Sequence, residues 1–403
     1  MHIILYETDA ALRFYPLTLT RPCFDLRSGG TTLRELLGVV FPDASFEYVI
    51  RDYLKDASEK SAKVSKGPVL VLDSLLAPDA KALLALKKKM GKKSFLLTSV
   101  GKIRGAYFAD GKVPASVSRT YASFARSLDG AASAKEDIAL ARFSDIWHPI
   151  TMNKQLLSIN LPTLAKGHTL LKKGVYVGKK VLVAKETHFD TSEGPIVIDD
   201  GVKIMPFSYL AGPLHIGADS LLRPHTSISH SSIGPVCKLG GEIEGSVVQG
   251  YSNKQHSGYL GNSYVGTWVN MGGGTGTSDL KNTYGTIKVR GKDTGTQFLG
   301  TIVGDLAKTA INTALFGGKI VGVSALVYGT VTSDVPSFAN YLFSAKELIL
   351  CPLSVTLVMQ ERMHARRGKK VTTLETNILK ESFKLTEAER KAAGVREGAI
   401  SFL

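Results

Sequence analysis

The sequence predicts two architectures in succession, an α/β part with a mostly parallel sheet and then a parallel β-helix, closed by a helical tail. Three observations carry this reading. Short apolar strands alternate with helical patterns up to about residue 110. Aliphatic residues then recur at every sixth position. Glycine, 40 residues in all, crowds between Gly212 and Gly329, as a turn-dense architecture requires. At 403 residues the chain is too long for one ordinary core, and its length suits about two or three domains.

In the first part, residues 3–6, 47–50, 69–72 and 95–98 read as strands, and 32–38 and 79–89 carry helical spacing between them. The stretch 111–145 is rich in Ala, Ser and charge and reads as helix plus linker. The resulting boundaries are 1–145 for the α/β domain, 146–164 for a linker, 165–336 for the β-helix and 337–403 for the helical tail.

The repeat is the strongest signal. Ile198, Ile204, Leu210, Ile216, Leu222 and Ile228 fall six apart, and Val303, Leu315, Val321 and Val327 resume the period with Thr309 as its polar slot. Neither the strand period nor the helix period explains this. Three short sides per coil do, each with its aliphatic turned into a narrow core. Glycine often follows the aliphatic, as in Ile216-Gly217 and Ile233-Gly234, where it is expected to ease a tight turn. Past Asp334 the repeat stops. Val355, Val358, Met359 and Met363 take helical spacing, a basic run follows over 362–370, and Thr386 with Glu389 suggests a capping box for a last helix.

Composition narrows the function. Fifty Lys and Arg against 35 Asp and Glu give a net charge of +15, which favours anionic partners. The basic residues are dispersed and no nucleic-acid motif stands out, so phosphorylated metabolites rank ahead of DNA or RNA. Three scattered cysteines read as reduced thiols of a cytoplasmic protein. The start of the chain reads as a buried strand and not a signal peptide. No apolar run is long enough to span a membrane.

Residues 250–274, GYSNKQHSGYLGNSYVGTWVNMGGG, are the most specific segment. They resemble the acetyltransferase half of the bifunctional glucosamine-1-phosphate N-acetyltransferase / N-acetylglucosamine-1-phosphate uridylyltransferases. Lys254, His256, Tyr259, Leu260-Gly261, Val265-Gly266 and Gly272-Gly273-Gly274-Thr275 occupy that family's positions. The resemblance implies a left-handed β-helix, a homotrimer with sites between subunits, and acetyl-CoA as co-substrate for an amino sugar 1-phosphate such as glucosamine-1-phosphate. It makes His256 the general base that frees the sugar amine. Lys254, Tyr259 and Asn253 are then substrate-binding residues, Asn253 also a candidate for the oxyanion. Gly273, Gly274 and Thr275 would pass the acyl-CoA arm. The family places Asn-Tyr where Asp279-Leu280 stand here, so Lys281 and Asn282 are expected to compensate.

The first half resembles the sugar-phosphate nucleotidyltransferases. Leu12-Arg13-Phe14-Tyr15-Pro16-Leu17-Thr18 keeps their Arg and Pro-Leu-Thr, while Thr8-Asp9-Ala10-Ala11 replaces their glycine loop and Cys23 stands where a Lys belongs. The resemblance implies UTP or dTTP as substrate with Mg²⁺, met by Arg13, Thr18, Arg21, Arg27 and Asp73, to form a nucleotide sugar; the missing glycines and Lys leave open a degenerate domain retained for binding or packing. Two other readings stay open at this point. One is a trimeric scaffold without activity. The other is a zinc enzyme resembling gamma-class carbonic anhydrases, with His188, His225 and His230 as ligands.

Overall fold

The computed structural model describes residues 1–55, 67–118, 120–121 and 123–400. They form two compact units, one of Met1–Leu26 with Thr31–Ile146 and one of Arg27–Gly30 with Trp147–Leu403.

The first unit is built on a six-stranded sheet. Its strands are β1 (His2–Tyr6), β2 (Ser45–Val49), β3 (Val69–Asp73), β4 (Phe95–Ser99), β5 (Lys102–Phe108) and β6 (Lys135–Asp137), in the order β2-β1-β3-β5-β4-β6. β1 pairs in parallel with β2 and β3, and β4 with β6, while β5 runs antiparallel to both its neighbours. The sheet is therefore mostly parallel, as the strand–helix alternation predicts. β1 and β3 are buried along their whole length, which is why they read as unbroken apolar runs. Helix α1 (Leu33–Val40) opens with a full capping box between Thr32 and Glu35. Asp79 accepts the Ala82 N–H to cap α2 (Ala80–Lys89).

Residues 111–145 depart from expectation. Their described residues hold one short helix, α3 (Phe124–Ser127), and β6. Phe124, in that helix, and Leu128 are fully buried against Ile4, Tyr6 and Val71, so the stretch packs into the core and is not a linker.

In the second unit the short helix α4 (His148–Thr151) is followed by α5 (Asn153–Leu164). The stretch expected as linker is thus ordered, with Leu157 and Leu161 fully buried against Val197. The coils then stack as parallel strands in three faces. Register shows the period directly: Ile198 pairs with Ile216, Ile204 with Leu222, and Leu210 with Ile228. All six are buried in one cluster that runs on through Val303, Leu315, Val321 and Val327.

The glycine beside each anchor has a different reason from the one expected. Gly217 and Gly234 have no positive φ. A Cβ on Gly234 would lie 2.0 Å from the Gln249 carbonyl oxygen of the next coil, and one on Gly217 would lie 2.6 Å from the carbonyl carbon of Gly234. These glycines let coils approach one another. The left-handed backbone conformation falls nearby on residues such as Asp219, Val236 and Asn262.

One coil carries an insertion. Val265 pairs with Val303, whereas Val303 pairs with Val321 eighteen residues on. The extra residues, after Gly276–Thr277, include a small antiparallel pair, Lys288–Val289 with Lys292–Asp293. Residues 337–350 are not helical tail. Ala339–Leu342 adds to the β-helix face beside Leu326–Tyr328 and pairs back with Glu347–Leu350. Helices α6 (Leu353–Ala365), α7 (Thr373–Leu385) and α8 (Glu387–Ala392) follow. The capping box belongs to Thr372 and Glu375, while the Thr386 hydroxyl donates to the Ser382 carbonyl. α6 buries Thr356, Gln360 and His364, so its apolar stripe Val355 and Val358 is left exposed. No helix among the described residues is long and apolar enough to cross a membrane.

Candidate active site

His256 sits on the corner between strands Asn253–Lys254 and Tyr259–Gly261, with its side chain exposed. A Cβ on Gly273 would lie 3.7 Å from the Cβ and Cγ of His256, so the imidazole rests on bare backbone of the next coil. The Gly274 N–H donates to the Ser257 carbonyl, and the Gly273 carbonyl accepts from Asn312, which fixes both coils at this point. Thr275 is buried, its hydroxyl bonded to that of Thr309 at 2.8 Å. Of the three residues expected to pass an acyl-CoA arm, the two glycines line the corner and Thr275 turns into the core.

Lys254 is placed unexpectedly. Its strand neighbour in register is Leu239, and it fills an inward slot of the aliphatic column. Its ammonium reaches the corner and donates to the carbonyls of Gly240 (3.0 Å), His256 (3.2 Å) and Gly258 (2.5 Å). Burial pushes its pKa down to about 8, against the opposing pull of Glu242. With the ammonium consumed by three carbonyls, Lys254 clamps the His256 corner. It has no donor left for a sugar phosphate. The signal was in the sequence, because Val248, Lys254 and Leu260 are six apart.

The Tyr259 hydroxyl donates to Asp279 Oδ2 at 2.9 Å, and the Asn262 amide donates to the same oxygen at 2.8 Å. Burial, and then the Asp279 carboxylate, raise the Tyr259 phenol well above its usual range, so the phenol stays protonated. Asp279 was read as a departure from the family pattern, yet it is the hub of this cluster. Tyr259, Asn262 and Asp279 line a cavity of about 420 Å³ together with Glu244, His230 and Lys154. It offers carboxylates for an ammonium or for sugar hydroxyls, and a lysine for an anion. Lys281 donates to the Thr286 carbonyl and Asn282 is exposed, both in the insertion. The Asn253 amide oxygen accepts from Arg367 at 2.7 Å, which holds it on the tail side of the coil and not at the Tyr259 cavity.

In the first unit the turn Asp9–Phe14 takes the place of a glycine loop and leaves Arg13 exposed. The Thr18 hydroxyl is buried and donates to the Ala11 carbonyl at 2.7 Å, which braces that turn. Arg21 offers its carbonyl to Arg51. Arg51 forms a buried pair with Glu7 at 3.0 Å and donates to the Tyr53 hydroxyl; the sequence reading missed this network. Asp73 accepts from the Leu75 N–H through Oδ1 and from Arg142 at 2.6 Å through Oδ2. Both oxygens are engaged, so Asp73 as placed does not fit a Mg²⁺ ligand. Arg27 belongs to the second unit, where it is buried with its guanidinium on the Gly30 carbonyl.

The three histidines of the zinc reading are each engaged separately. His188 stacks on Tyr209, His225 stacks on Phe207, and His230 lies 3.5 Å from Glu193. Among the described residues no three His, Cys, Asp or Glu side chains gather as a metal cage.

A sequence model of the family described as sugar nucleotidyl transferase matches residues 3–169. The bifunctional protein GlmU of Nostoc sp. (strain PCC 7120) is 27% identical over 198 residues, 46% of this chain and 37% of its own. The bifunctional sugar-1-phosphate nucleotidylyltransferase/acetyltransferase of Sulfurisphaera tokodaii is 30% identical over 157 residues, 36% of this chain and 38% of its own. The chain thus spans little more than a third of the length of either relative. Among solved structures, an Arabidopsis UDP-N-acetylglucosamine acyltransferase aligns with 56% of this chain and 89% of its own at 13% identity and a TM-score of 0.29. The amino-terminal part of the chain is thus similar to the sugar nucleotidyl transferases, and the chain is similar over part of its length to the bifunctional GlmU proteins.

Proposed function

We propose that the chain transfers an acyl group, acetyl in the simplest case, from acyl-CoA to the amine of an amino sugar 1-phosphate such as glucosamine-1-phosphate. The observation that carries this is the exposed His256, seated on Gly273 and clamped at its corner by Lys254, three residues before the Tyr259–Asp279–Asn262 cluster. His256 takes a proton from the sugar ammonium, and the freed amine attacks the thioester carbonyl. The C–N bond forms, the C–S bond breaks, the thiolate leaves as the thiol with the second proton that the nitrogen sheds on becoming an amide, and His256 passes the first to solvent. Asp279 and Glu244 receive the ammonium before transfer. The names of the relatives, which join nucleotidylyl and acetyl transfer, support the reading.

The match over residues 3–169 favours a second activity, nucleotidyl transfer from UTP or dTTP to the sugar phosphate. Arg13 and Arg21 would meet the phosphates, while Asp73 is held by Arg142. The working form is a homotrimer, which the exposed stripe on α6 and the exposed Phe207 and Tyr209 support. Three free, buried cysteines suit the reducing cytoplasm.

One assay tests both halves. Acetyl-CoA, glucosamine-1-phosphate, UTP and Mg²⁺ are supplied together, and thiol and pyrophosphate are read in parallel. Thiol release that depends on the sugar phosphate is expected. Its absence with every amino sugar phosphate and acyl-CoA tried would overturn the acyl-transfer reading, and missing pyrophosphate would overturn the second activity alone.

A further inference from the structure

On one β-helix face the outward side chains form a ladder. Lys238 lies beside Asn253, Asn253 beside Asn270, and Asn270 beside Lys308. Parallel neighbours stand about 4.8 Å apart, so the ladder spans roughly 14 Å. The end of α6 lies against it, and Met363, Arg366 and Arg367 close a cleft of about 220 Å³ over the ladder. This cleft shares no residue with the Tyr259 cavity.

An aromatic stack fixes the helix end. Trp268 is sandwiched between Tyr251 at 4.7 Å and His364 at 4.3 Å, and Lys369 covers the Tyr251 ring at 4.8 Å. Arg367 is further tied to Asn253. The basic run over 362–370 is therefore pinned over a structured floor.

Its charge is uncompensated. No Asp or Glu lines the cleft. The side chains of Lys238 and Arg366 make no hydrogen bond or ion pair among the described residues. Arg367, then partial burial, then Arg366 and Arg223 hold the Lys238 ammonium below its usual range. Lys308 turns its ammonium onto the carbonyls of Trp268 and Leu306, so it adds to the wall and not to the set of free donors. Cations collected against their own repulsion, with neutral amides between them and no acid, suit a compact anion of two or more charges. The forked donors of arginine match phosphate oxygens. Trp268 is already stacked with Tyr251 and His364, which makes it a poor platform for a nucleic-acid base.

We propose that this cleft binds the phosphate or pyrophosphate group of a small phosphorylated ligand through Lys238, Arg366 and Arg367. Two sources supply that chemistry, a sugar phosphate and the nucleotide end of an acyl carrier. Calorimetric titration of the full chain at low salt, with inorganic pyrophosphate, adenosine 3′,5′-bisphosphate and glucosamine-1-phosphate in turn, separates them. Binding of at least one probe is expected, weakening by about tenfold or more in Lys238→Gln/Arg366→Gln. Preference for the bisphosphate identifies the carrier, and preference for the sugar phosphate identifies the acceptor. Neither residue joins the aromatic stack, so the variant should keep its fold. Asn270→Asp, which plants a carboxylate on the ladder, should abolish binding independently. No binding of any probe by the wild type, or unchanged affinity in both variants, overturns the proposal. The readout is binding, so its failure is distinct from failure of acyl transfer.

Discussion

At the scale of single residues, three side chains divide the work of the corner, and each gives a separate test. His256 as the base predicts that His256→Ala lowers kcat by about a hundredfold or more, the usual worth of a positioned base, with assembly unchanged. Wild-type turnover in that variant would remove His256 from the chemistry. Lys254 distinguishes clamp from ligand. Its slot lies in the aliphatic column beside Leu239, so Lys254→Met should keep or raise the thermal midpoint. It should also lower kcat by about tenfold, because the corner carbonyls lose their donor, of which charged hydrogen bonds are worth ~1.5–3 kcal/mol each. A large rise in KM for the sugar phosphate with kcat preserved would instead restore Lys254 as a phosphate ligand. For Asp279, which holds Tyr259 and Asn262 together, Asp279→Asn should raise KM for the amino sugar by about tenfold through loss of a charge-assisted contact. An unchanged KM would place the sugar elsewhere.

At the scale of elements, the hexad period was legible because one physical constraint, a narrow core lined by one aliphatic per side, writes itself into every coil. Lys254 was legible too as the sixth residue after Val248, but a charged residue in an inward slot reads first as a ligand. The role of the glycines was hidden, since sequence shows that a side chain is missing without showing which backbone needs the space. Gly234→Ala separates the two reasons. Its Cβ would sit 2.0 Å from the Gln249 carbonyl oxygen, so a loss of about 1–3 kcal/mol in unfolding free energy is expected from overpacking. No loss would mean that the coils can part at little cost. The hairpin of Ala339–Leu342 with Glu347–Leu350 and the buried polar face of α6 escaped the reading for a related cause. Each depends on what the neighbouring coil leaves uncovered. Asp279 escaped because its partners, Tyr259 and Asn262, precede it by 20 and 17 residues, on a coil that an insertion throws out of period.

At the scale of the whole molecule, two lysines buried in the β-helix tie stability to pH. Lys308 donates to the carbonyls of Trp268 and Leu306, and burial pushes its pKa down to about 7, with Asp305 pulling the other way. Lys254 is pushed down to about 8 by the same cause. Unfolded, both return to the ordinary value of 10.5. Below pH 7 both states hold these protons, and the cost of burying the charges is borne in full. As pH rises through 7 and 8 the folded chain sheds them while the unfolded chain keeps them, so unfolding takes up protons. Linkage then requires stability to rise with pH from about 7 toward 10.5. Denaturant midpoints measured from pH 6 to 9.5 should climb in the wild type and flatten in Lys254→Met/Lys308→Met. A midpoint that stays level or falls over that window, or a double variant with the wild-type slope, would show that these ammoniums remain charged in the fold and are held by their carbonyls throughout.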